Sequence, residues 1–510
     1  MSKQSVILLI LDGWGIGSKG DSNPIFKANP ETIAYVKSHF PSGSLQASGI
    51  SVGLPWNEEG NSEAGHLNIG AGRIVYQNYP RISLAIHDNS FFKNKNLRKA
   101  FEQSKEHRSA VHLAGILSAS NIHASLEHLR ALMEIAEKEG ISYYLHLFTD
   151  GIDSPPQSAL HLLEKIPHEK IATLTGRLYA MDKDRHWERT QQAYNALTGQ
   201  CPVMENPSAH IEKAYAKRQT DEYIAPAKVA AYEGLKPHDS LIFFNFREDG
   251  IRQLARIFAD KTFAEFPVAL PENLYTLTMI PYNPAFPLPV IFEPQELENP
   301  LGKVLADHGK NQIRIAEAYK SAHITYFFNA LRDEPFLNEY RVIIPSLTDL
   351  HPEAHPAMQI EEITTRTVSA IEEKFDFILV NFANSDRIAH TGNYEAALEA
   401  IRIMDKKIKE IVDVSLKTNT ILIITADHGN IERMFNPMTG QTETQHDKSP
   451  VPIYLVAQQF ERLRSPAEIN DSEALTCGIL ADVAPTILEL LGIPQPQEMT
   501  GKSLVKDLTK

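Results

Sequence analysis

Short apolar runs alternate along the chain with longer segments of helical periodicity, and several of the apolar runs end in polar clusters. The first run, Val6–Leu11, is apolar at every position, which is typical of a parallel strand covered on both faces. Further runs that are largely apolar occupy residues 111–113, 143–148, 171–174, 241–246, 377–380 and 421–425. Strands that alternate with helices predict an α/β fold, in which ligands bind at the carboxyl ends of the strands.

A proline-rich stretch divides this pattern. Residues 280–300 contain six prolines, which disfavour both a regular helix and a central strand. We interpret the stretch as an interdomain connection whose incoming counterpart lies near residues 74–80. Residues 78–297, including the linker at 280–297, are then an inserted α/β domain. Residues 1–77 and 298–510 are expected to form one discontinuous domain with a doubly wound sheet.

The composition adds limits on partners and location. With 43% hydrophobic and 22% charged residues, the chain has the make-up of an ordinary globular protein. Its net charge of −14, without a basic block, argues against nucleic acid or an anionic membrane as the main partner. No apolar run is long enough to cross a membrane. The two cysteines, Cys201 and Cys477, lack metal-like spacing, and such sparse usage favours a reducing cytoplasm.

The glycine-rich segment 60–72 is the strongest candidate for chemistry. Within it, Ser62 lies between an amide and a carboxylate, Asn61 and Glu63. The glycines permit tight turns and close approach of the backbone to a ligand, as an exposed serine nucleophile requires. The alternative is that Ser62 only caps a short helix, because Asn and Ser are favoured at the N-cap.

Carboxylate and imidazole residues follow three of the apolar strands or lie in a polar loop. They are Asp12, Asp386, His390, Asp427, His428 and His446. The spacing of four between Asp386 and His390 places both on one face of a helical turn. There they either bind one metal ion together or form a hydrogen bond with each other. With the Ser62 hydroxyl, the whole set predicts an oxygen and nitrogen site for two divalent cations. Such cations stabilise an ionised serine near neutral pH and offset charge in phosphoryl transfer.

At these residues the chain resembles the cofactor-independent phosphoglycerate mutases, a family of the alkaline phosphatase superfamily. The resemblance covers nearly the whole chain and is carried by residues 11–15, 61–73, 381–392 and 425–430. It implies an alkaline-phosphatase-like sheet domain and a glycolytic isomerase that interconverts 3-phosphoglycerate and 2-phosphoglycerate through a phosphoserine. It also implies a monomer that acts on a small phosphorylated acid and carries two divalent ions, foremost Mn²⁺, with Mg²⁺, Co²⁺ or Zn²⁺ as alternatives.

The resemblance further implies a role for each site residue. One metal ion would be held by Asp386, His390 and His446, and the other by Asp12, Ser62, Asp427 and His428. Ser62 would be the nucleophile. The implied substrate-binding residues are His123, Asp153, Arg177, Lys183, Arg247 and Lys320.

Several substrate cations of the family are changed in this chain. Ile152 and Gly250 stand where the family has arginine, in its Asp-Gly-Arg-Asp and Arg-x-Asp-Arg motifs. Lys183 also replaces an arginine, which keeps the charge but loses the bidentate fork. We expect Arg185 and Arg252, each two residues beyond a changed position, to substitute for the lost cations.

These changes leave two other functions open. The loss of arginine at Ile152 and Gly250 fits a metal-dependent phosphatase or phosphomutase of the same superfamily that acts on another phosphorylated small molecule. A catalytically weak paralogue that only binds metal and a metabolite is the second alternative. Retention of every implied metal ligand argues against it, because a binding module has no need for an activated serine.

Overall fold

The computed structural model describes residues 4–347 and 351–510. The chain divides into two compact units, one formed by Met1–Gln77 with Glu296–Lys510 and the other by Asn78–Gln295. Each unit has its own apolar core. Among the described residues, no helix is long and apolar enough to cross a bilayer.

The strands of both units are numbered along the chain. They are β1 (Val6–Leu11), β2 (Ser42–Gln46), β3 (Val111–Leu117), β4 (Tyr143–Thr149), β5 (Ile171–Gly176), β6 (Val203–Met204), β7 (Ala227–Val229), β8 (Ser240–Phe243), β9 (Tyr275–Thr278), β10 (Gln312–Glu317), β11 (Glu339–Ile344), β12 (Phe377–Phe382), β13 (Ile421–Thr425), β14 (Val451–Val456) and β15 (Thr476–Ile479).

The α-helices are numbered in the same way. They are α1 (Pro24–Ala28), α2 (Glu31–His39), α3 (Ser62–Ala71), α4 (Asn78–His87), α5 (Lys95–His107), α6 (Leu126–Glu139), α7 (Ala159–Leu163), α8 (Arg177–Ala180), α9 (Trp187–Leu197), α10 (Pro207–Ala216), α11 (Glu248–Ala259), α12 (Leu301–Asp307), α13 (Ile360–Glu372), α14 (Asn384–Ala389), α15 (Tyr394–Thr418), α16 (Pro466–Ala474), α17 (Val483–Leu490) and α18 (Val505–Leu508).

The first unit is built on an eight-stranded sheet in the order β11-β10-β12-β1-β13-β14-β2-β15. Its strands are parallel except β14, which pairs antiparallel with both neighbours. All six residues of β1 are buried, as expected for an apolar strand at the centre of a covered sheet. The α/β fold and the central parallel sheet predicted from the sequence are confirmed.

The second unit is built on a seven-stranded sheet in the order β6-β7-β5-β4-β3-β8-β9. Five neighbouring strands run parallel, namely β5, β4, β3, β8 and β9. The strand β7 pairs antiparallel with β5. The proline-rich residues 280–300 contain no helix or strand in the described chain beyond an isolated bridge between Thr278 and Val290. This irregular backbone is what its prolines predict.

Candidate active site

Three adjacent parallel strands create the site in the first unit. The strand β1 lies between β12 and β13, so their carboxyl ends meet at one edge of the sheet. Asp12 directly follows β1, Asp427 lies just after β13, and Asp386 lies on α14 just after β12. All three carboxylates are buried. The sheet therefore concentrates negative charge away from water, which is costly unless cations or hydrogen-bond donors compensate it.

Ser62 is the first residue of α3, and the residue before it caps the helix. The side chain of Asn61 accepts a hydrogen bond from the Ala64 amide at 2.8 Å. The alternative that Ser62 serves only as the cap is therefore wrong, because Asn61 already satisfies the orphan amide. The Ser62 hydroxyl is left available for chemistry.

The Ser62 hydroxyl lies among three functional groups. Its Oγ is 3.2 Å from Asp12 Oδ1 and 2.9 Å from His428 Nε2, and it accepts a hydrogen bond from Lys320 Nζ at 2.7 Å. His428 Nδ1 donates to the Gly429 carbonyl at 3.1 Å, so Nε2 presents a lone pair to the serine. Proton acceptors and a cation thus converge on one oxygen, as nucleophilic activation requires.

Glycine is needed where α3 approaches the end of β13. A Cβ atom at Gly65 would lie 2.5 Å from the Asp427 carbonyl oxygen and 2.7 Å from the Asp427 Cβ. Because such contacts are too short for real carbon atoms, only glycine lets the helix that begins at Ser62 pack this closely on Asp427. Part of the glycine-rich pattern in the sequence therefore serves the close packing of α3.

Lys320 occupies the centre of the carboxylates. Its Nζ donates to Asp12 Oδ1 at 2.6 Å and to Asp386 Oδ2 at 2.9 Å. Although burial lowers it, the pKa of Lys320 lies above its ordinary value because Asp12, Asp386 and Asp427 surround the ammonium group. Sequence reasoning assigned this lysine to the substrate set, and the structure places it against the Ser62 hydroxyl and the metal-ligand candidates.

Asp386, His390 and His446 form one candidate metal group, because their ligand atoms all lie within 4.8 Å of one another. His390 Nδ1 donates to the Thr444 carbonyl at 2.8 Å, and His446 Nδ1 donates to the Gly60 carbonyl at 2.7 Å. Both Nε2 atoms are thereby left as acceptors, only 3.1 Å apart, and they lie 3.1 and 3.4 Å from Asp386 Oδ1. Imidazoles fixed by backbone carbonyls in this way fit a divalent ion.

Around the ends of β1 and β13, two further groups have ligand atoms close enough to hold one ion, namely Asp12 with His66 and Asp427, and Asp12 with Asp386 and His428. His428 Nε2 is 3.6 Å from Asp12 Oδ1 and 3.5 Å from Asp427 Oδ2. Among the described residues, the buried Asp427 Oδ2 accepts no hydrogen bond, although His66 Nδ1 lies 3.2 Å away. An orphaned buried carboxylate oxygen beside an imidazole lone pair is chemically suited to a cation.

The electrostatics differ among the carboxylates. Although burial opposes ionisation, the pKa of Asp386 is well below its ordinary value because the Lys320 ammonium group faces it. The pKa of Asp12 is raised, by burial first and by Asp427 next. Three buried carboxylates around one ammonium group leave excess negative charge that bound cations would balance.

Three further polar residues hold the ligand candidates in place and were not predicted from the sequence. Asn381 Nδ2 donates to Asp12 Oδ2 at 2.7 Å, and Asn430 Nδ2 donates to Asp386 Oδ1 at 2.9 Å. His66 Nδ1 donates to the Ser62 carbonyl at 2.9 Å. The spacing of four between Ser62 and His66 on α3 was the available signal, but many helical pairs share it.

A separate cavity of about 470 Å³ lies within the second unit. The lining includes every second-unit residue that the resemblance assigned to substrate binding, namely His123, Asp153, Arg177, Lys183 and Arg247. Arg177 donates to Asp153 Oδ2 at 2.6 Å and also to Asp150. Burial and the Arg177 charge lower the pKa of His123. The sequence motifs at the ends of several strands therefore meet in one polar cavity.

The changed positions also line this cavity, but the expected substitutes do not. The side chain of Ile152 is exposed there, and Gly250 lies in the same wall. The expectation that Arg185 and Arg252 replace the lost cations is wrong, since neither is among the lining residues. Arg252 Nε instead donates to the Tyr282 carbonyl at 2.7 Å. Proximity in sequence did not predict the direction of these side chains.

The fold and the site define a metalloenzyme, and the profile of the Metalloenzyme superfamily matches residues 4–495. The chain is 40% identical to a 2,3-bisphosphoglycerate-independent phosphoglycerate mutase of Pseudomonas putida strain GB-1, with 98% of each chain covered. It is 42% identical to the protein of that name from Thermomicrobium roseum, again with 98% coverage of both. The chain belongs to the family of 2,3-bisphosphoglycerate-independent phosphoglycerate mutases, which are isomerases.

A solved structure shows the same fold. The crystal structure of Leishmania mexicana phosphoglycerate mutase at low cobalt concentration is 24% identical in sequence, with a TM-score of 0.55. The match covers 98% of both chains. The two-unit α/β architecture is therefore shared along the whole length.

Proposed function

We propose that the protein interconverts 3-phosphoglycerate and 2-phosphoglycerate through a phosphoserine at Ser62. The observation that carries this proposal is the convergence of Asp12, His428 and Lys320 on the Ser62 oxygen. Family membership over nearly the full chain supports the choice of reaction.

In the first half of the reaction, Ser62 Oγ attacks phosphorus and displaces the 3-oxygen of glycerate. A new bond joins Oγ to phosphorus, and the bond from phosphorus to the glycerate oxygen breaks. Asp12 Oδ1, 3.2 Å from Oγ, lies within reach of the hydroxyl proton and accepts it. Lys320 donates to Oγ and stabilises the developing alkoxide charge. The departing 3-oxygen takes up one proton. The glycerate 2-hydroxyl then loses its proton and attacks phosphorus, the bond from phosphorus to Ser62 Oγ breaks, and Oγ takes back the proton held by Asp12.

We further propose that two divalent ions, with Mn²⁺ as the first choice, complete the site. Asp386, His390 and His446 would hold one ion, and Asp12, Ser62, Asp427 and His428 the other. Two observations support this assignment. The Nε2 atoms of His390 and His446 are left as acceptors, and Asp427 Oδ2 accepts no hydrogen bond from the described residues. When bound, such ions supply the positive charge that favours ionised serine and phosphoryl oxygens near neutral pH.

The cavity of the second unit is proposed to recognise the substrate. Arg177, Lys183 and Arg247 would bind carboxylate and phosphoryl oxygens, and His123 and Asp153 would contact the glycerate hydroxyl groups. Lys320, in the first unit, is proposed to contact the phosphoryl group, because it already contacts the Ser62 oxygen. A monomeric enzyme acting in the cytoplasm fits a reaction on small metabolites.

The substitutions in the cavity favour one alternative, a phosphatase or phosphomutase of the same superfamily with another small substrate. Its basis is the exposed Ile152, which offers an apolar contact where an arginine would bind an anion. The first unit supports either function equally, because the serine and metal-ligand candidates are common to both.

The test is an assay of purified protein with Mn²⁺ and 3-phosphoglycerate that follows 2-phosphoglycerate and free phosphate together. We expect isomerisation without stoichiometric phosphate release. Phosphate release without 2-phosphoglycerate would establish hydrolysis instead. Absence of both products in metal-loaded protein would contradict the proposed function.

A further inference from the structure

Arg189 lies in the substrate cavity although no family motif drew attention to it. It is the third residue of α9 and lines the cavity wall, with a third of its side chain exposed. One terminal nitrogen, NH1, donates to Asp182 Oδ2 at 3.2 Å. Among the described residues, its Nε and NH2 have no hydrogen-bond partner. Most of the guanidinium donors are therefore available to a ligand.

The partner of Arg189 is held rigidly. Asp182 accepts hydrogen bonds from His186 Nδ1 at 2.8 Å and from Gln253 Nε2 at 3.1 Å. The backbone amides of Asp184 and His186 also donate to Asp182 Oδ1, at 3.1 and 3.0 Å. A carboxylate fixed by so many donors holds the guanidinium in one orientation, which reduces the entropy lost when an anion binds.

Two other cations of the cavity, Arg177 and Arg247, lie beside carboxylates. Arg177 is held by Asp150 and Asp153, and Arg247 Nε lies 3.5 Å from Asp249 Oδ1. The carboxylates in the lining are Asp153, Asp182, Asp184, Glu222 and Asp249, which outnumber the four lysine and arginine residues Arg177, Lys183, Arg189 and Arg247. A substrate with several negative charges therefore needs cations with unused donors.

The packing around Gly250 ties Arg189 to the place of a lost arginine. A Cβ atom at Gly250 would lie 2.6 Å from Met181 Cε, so Met181 occupies the space where a side chain at 250 would begin. Met181 immediately precedes Asp182, the residue that orients Arg189. Gln253, three residues after Gly250 on α11, donates to the same carboxylate. The residues next to Gly250, where the family has an arginine, are therefore connected to Asp182, which holds Arg189.

We propose that Arg189 is a specificity-determining residue that binds an anionic oxygen group, carboxylate or phosphoryl, of the phosphorylated acid substrate. Lys183, which has no ion-pair partner among the described residues, provides a second cation in the same wall. The identity of the substrate rests on the proposed function. The availability of Arg189 to an anion rests only on the geometry of the cavity.

The experiment compares Arg189→Ala, Arg189→Lys and the control Arg252→Ala. We expect Arg189→Ala to raise KM for 3-phosphoglycerate about 10- to 100-fold with little change in kcat, the loss expected for a charge-assisted hydrogen bond. Arg189→Lys should recover part of the affinity, because it restores the charge without the fork. Arg252→Ala removes an equal charge outside the cavity and should leave KM within about twofold.

Direct binding separates this proposal from the proposed function. Isothermal titration of 3-phosphoglycerate into the metal-loaded Ser62→Ala background, with and without Arg189→Ala, reports affinity without turnover. Weakened binding in the Arg189 variant supports the proposal even when wild-type protein shows no isomerase activity. Unchanged affinity and KM in a folded Arg189→Ala or Arg189→Lys variant, or an equal loss in Arg252→Ala, overturns it.

Discussion

The site in the first unit and the cavity in the second unit differ in how tightly they are built. In the first unit, buried carboxylates, imidazoles and one ammonium group contact each other directly, and glycine backbone allows the close packing. In the second unit, the cavity is open, and positions such as Ile152 and Gly250 carry no charge. A buried network tolerates little change because each member leaves an unpaired partner when removed. In an open cavity, a cationic residue can be replaced with a smaller loss of stability, because fewer protein groups depend on it.

Under the proposed function, this difference separates the reaction chemistry of the first unit from substrate recognition in the second. Removing one buried ligand candidate disturbs several others, whereas a change in the cavity alters one contact with a ligand. We therefore expect variants of the first unit to abolish function and variants of the second to tune it.

The largest effect is expected from Ser62→Ala, which removes the proposed attacking oxygen. We expect turnover to fall by more than about a thousandfold, because the remaining groups have no nucleophile to activate. Steady-state assays with 3-phosphoglycerate measure the loss. The control is Ser48→Ala in the same unit, which removes a hydroxyl that donates to the Lys448 carbonyl and should retain activity. Substantial turnover by the Ser62 variant would falsify its role.

The next effect is the loss of metal from Asp386→Ala. Asp386 faces His390, His446 and Lys320, so its removal unbalances the whole group. We expect the affinity for one of the two metal ions to fall by more than about a hundredfold. Even the mutation of a residue that only supports a metal ligand lowers metal affinity or activity about 10- to 100-fold. Metal analysis after dialysis gives the stoichiometry. The exposed Asp413→Ala variant should match wild type, and equal metal content in both variants would refute the assignment.

A smaller and opposite effect is expected from Ile152→Arg in the cavity. Ile152 is 58% exposed, so an arginine fits there without repacking a core. We expect KM for 3-phosphoglycerate to fall about tenfold, the value of one moderate charge-assisted contact. Gly250→Arg should gain less because Met181 occupies the adjoining space. Ile122→Arg, in a neighbouring loop outside the lining, controls for charge alone, and an equal gain there would contradict the expectation.

The smallest effect concerns the stability of the second unit at mild acid. Burial lowers the pKa of His128 to about 3, and its Nδ1 has no hydrogen-bond partner in the described part of the chain. Below its ordinary pKa of about 6.5, the unfolded chain binds a proton that the folded chain does not, so stability falls as pH falls. Between pH 6.5 and 5.5 this loss is about 1 kcal/mol. Urea unfolding should show a shallower pH dependence for His128→Phe than for wild type, and identical slopes would contradict this account.

The strand pattern predicted most of the fold, because an apolar run reports burial directly. Val6–Leu11 and Ile421–Thr425 are strands with the expected bounds. The run at 241–246 is a strand only over Ser240–Phe243, because the backbone leaves the sheet before the Phe246 amide donates to the His123 carbonyl. Local composition cannot show where a strand loses its neighbour.

The site was less predictable than the fold. Residues with distinctive chemistry, such as Asp386 and His446, could be selected from their types and positions before any geometry was known. His66 and Asn381 could not, because their importance depends on contacts across hundreds of residues. Arg189 was hidden for another reason, since its position in the cavity depends on its hydrogen bond to Asp182, seven residues earlier, which the sequence does not reveal.

The central position of β1 has a consequence for how the protein is made. β1 pairs with β12 and β13, which a ribosome synthesises hundreds of residues later. The inserted unit, by contrast, contains every strand of its own sheet and can fold once residue 295 has emerged. Throughout that interval the nascent chain carries an unpaired, wholly apolar strand near its amino terminus, a segment prone to aggregate unless chaperones cover it.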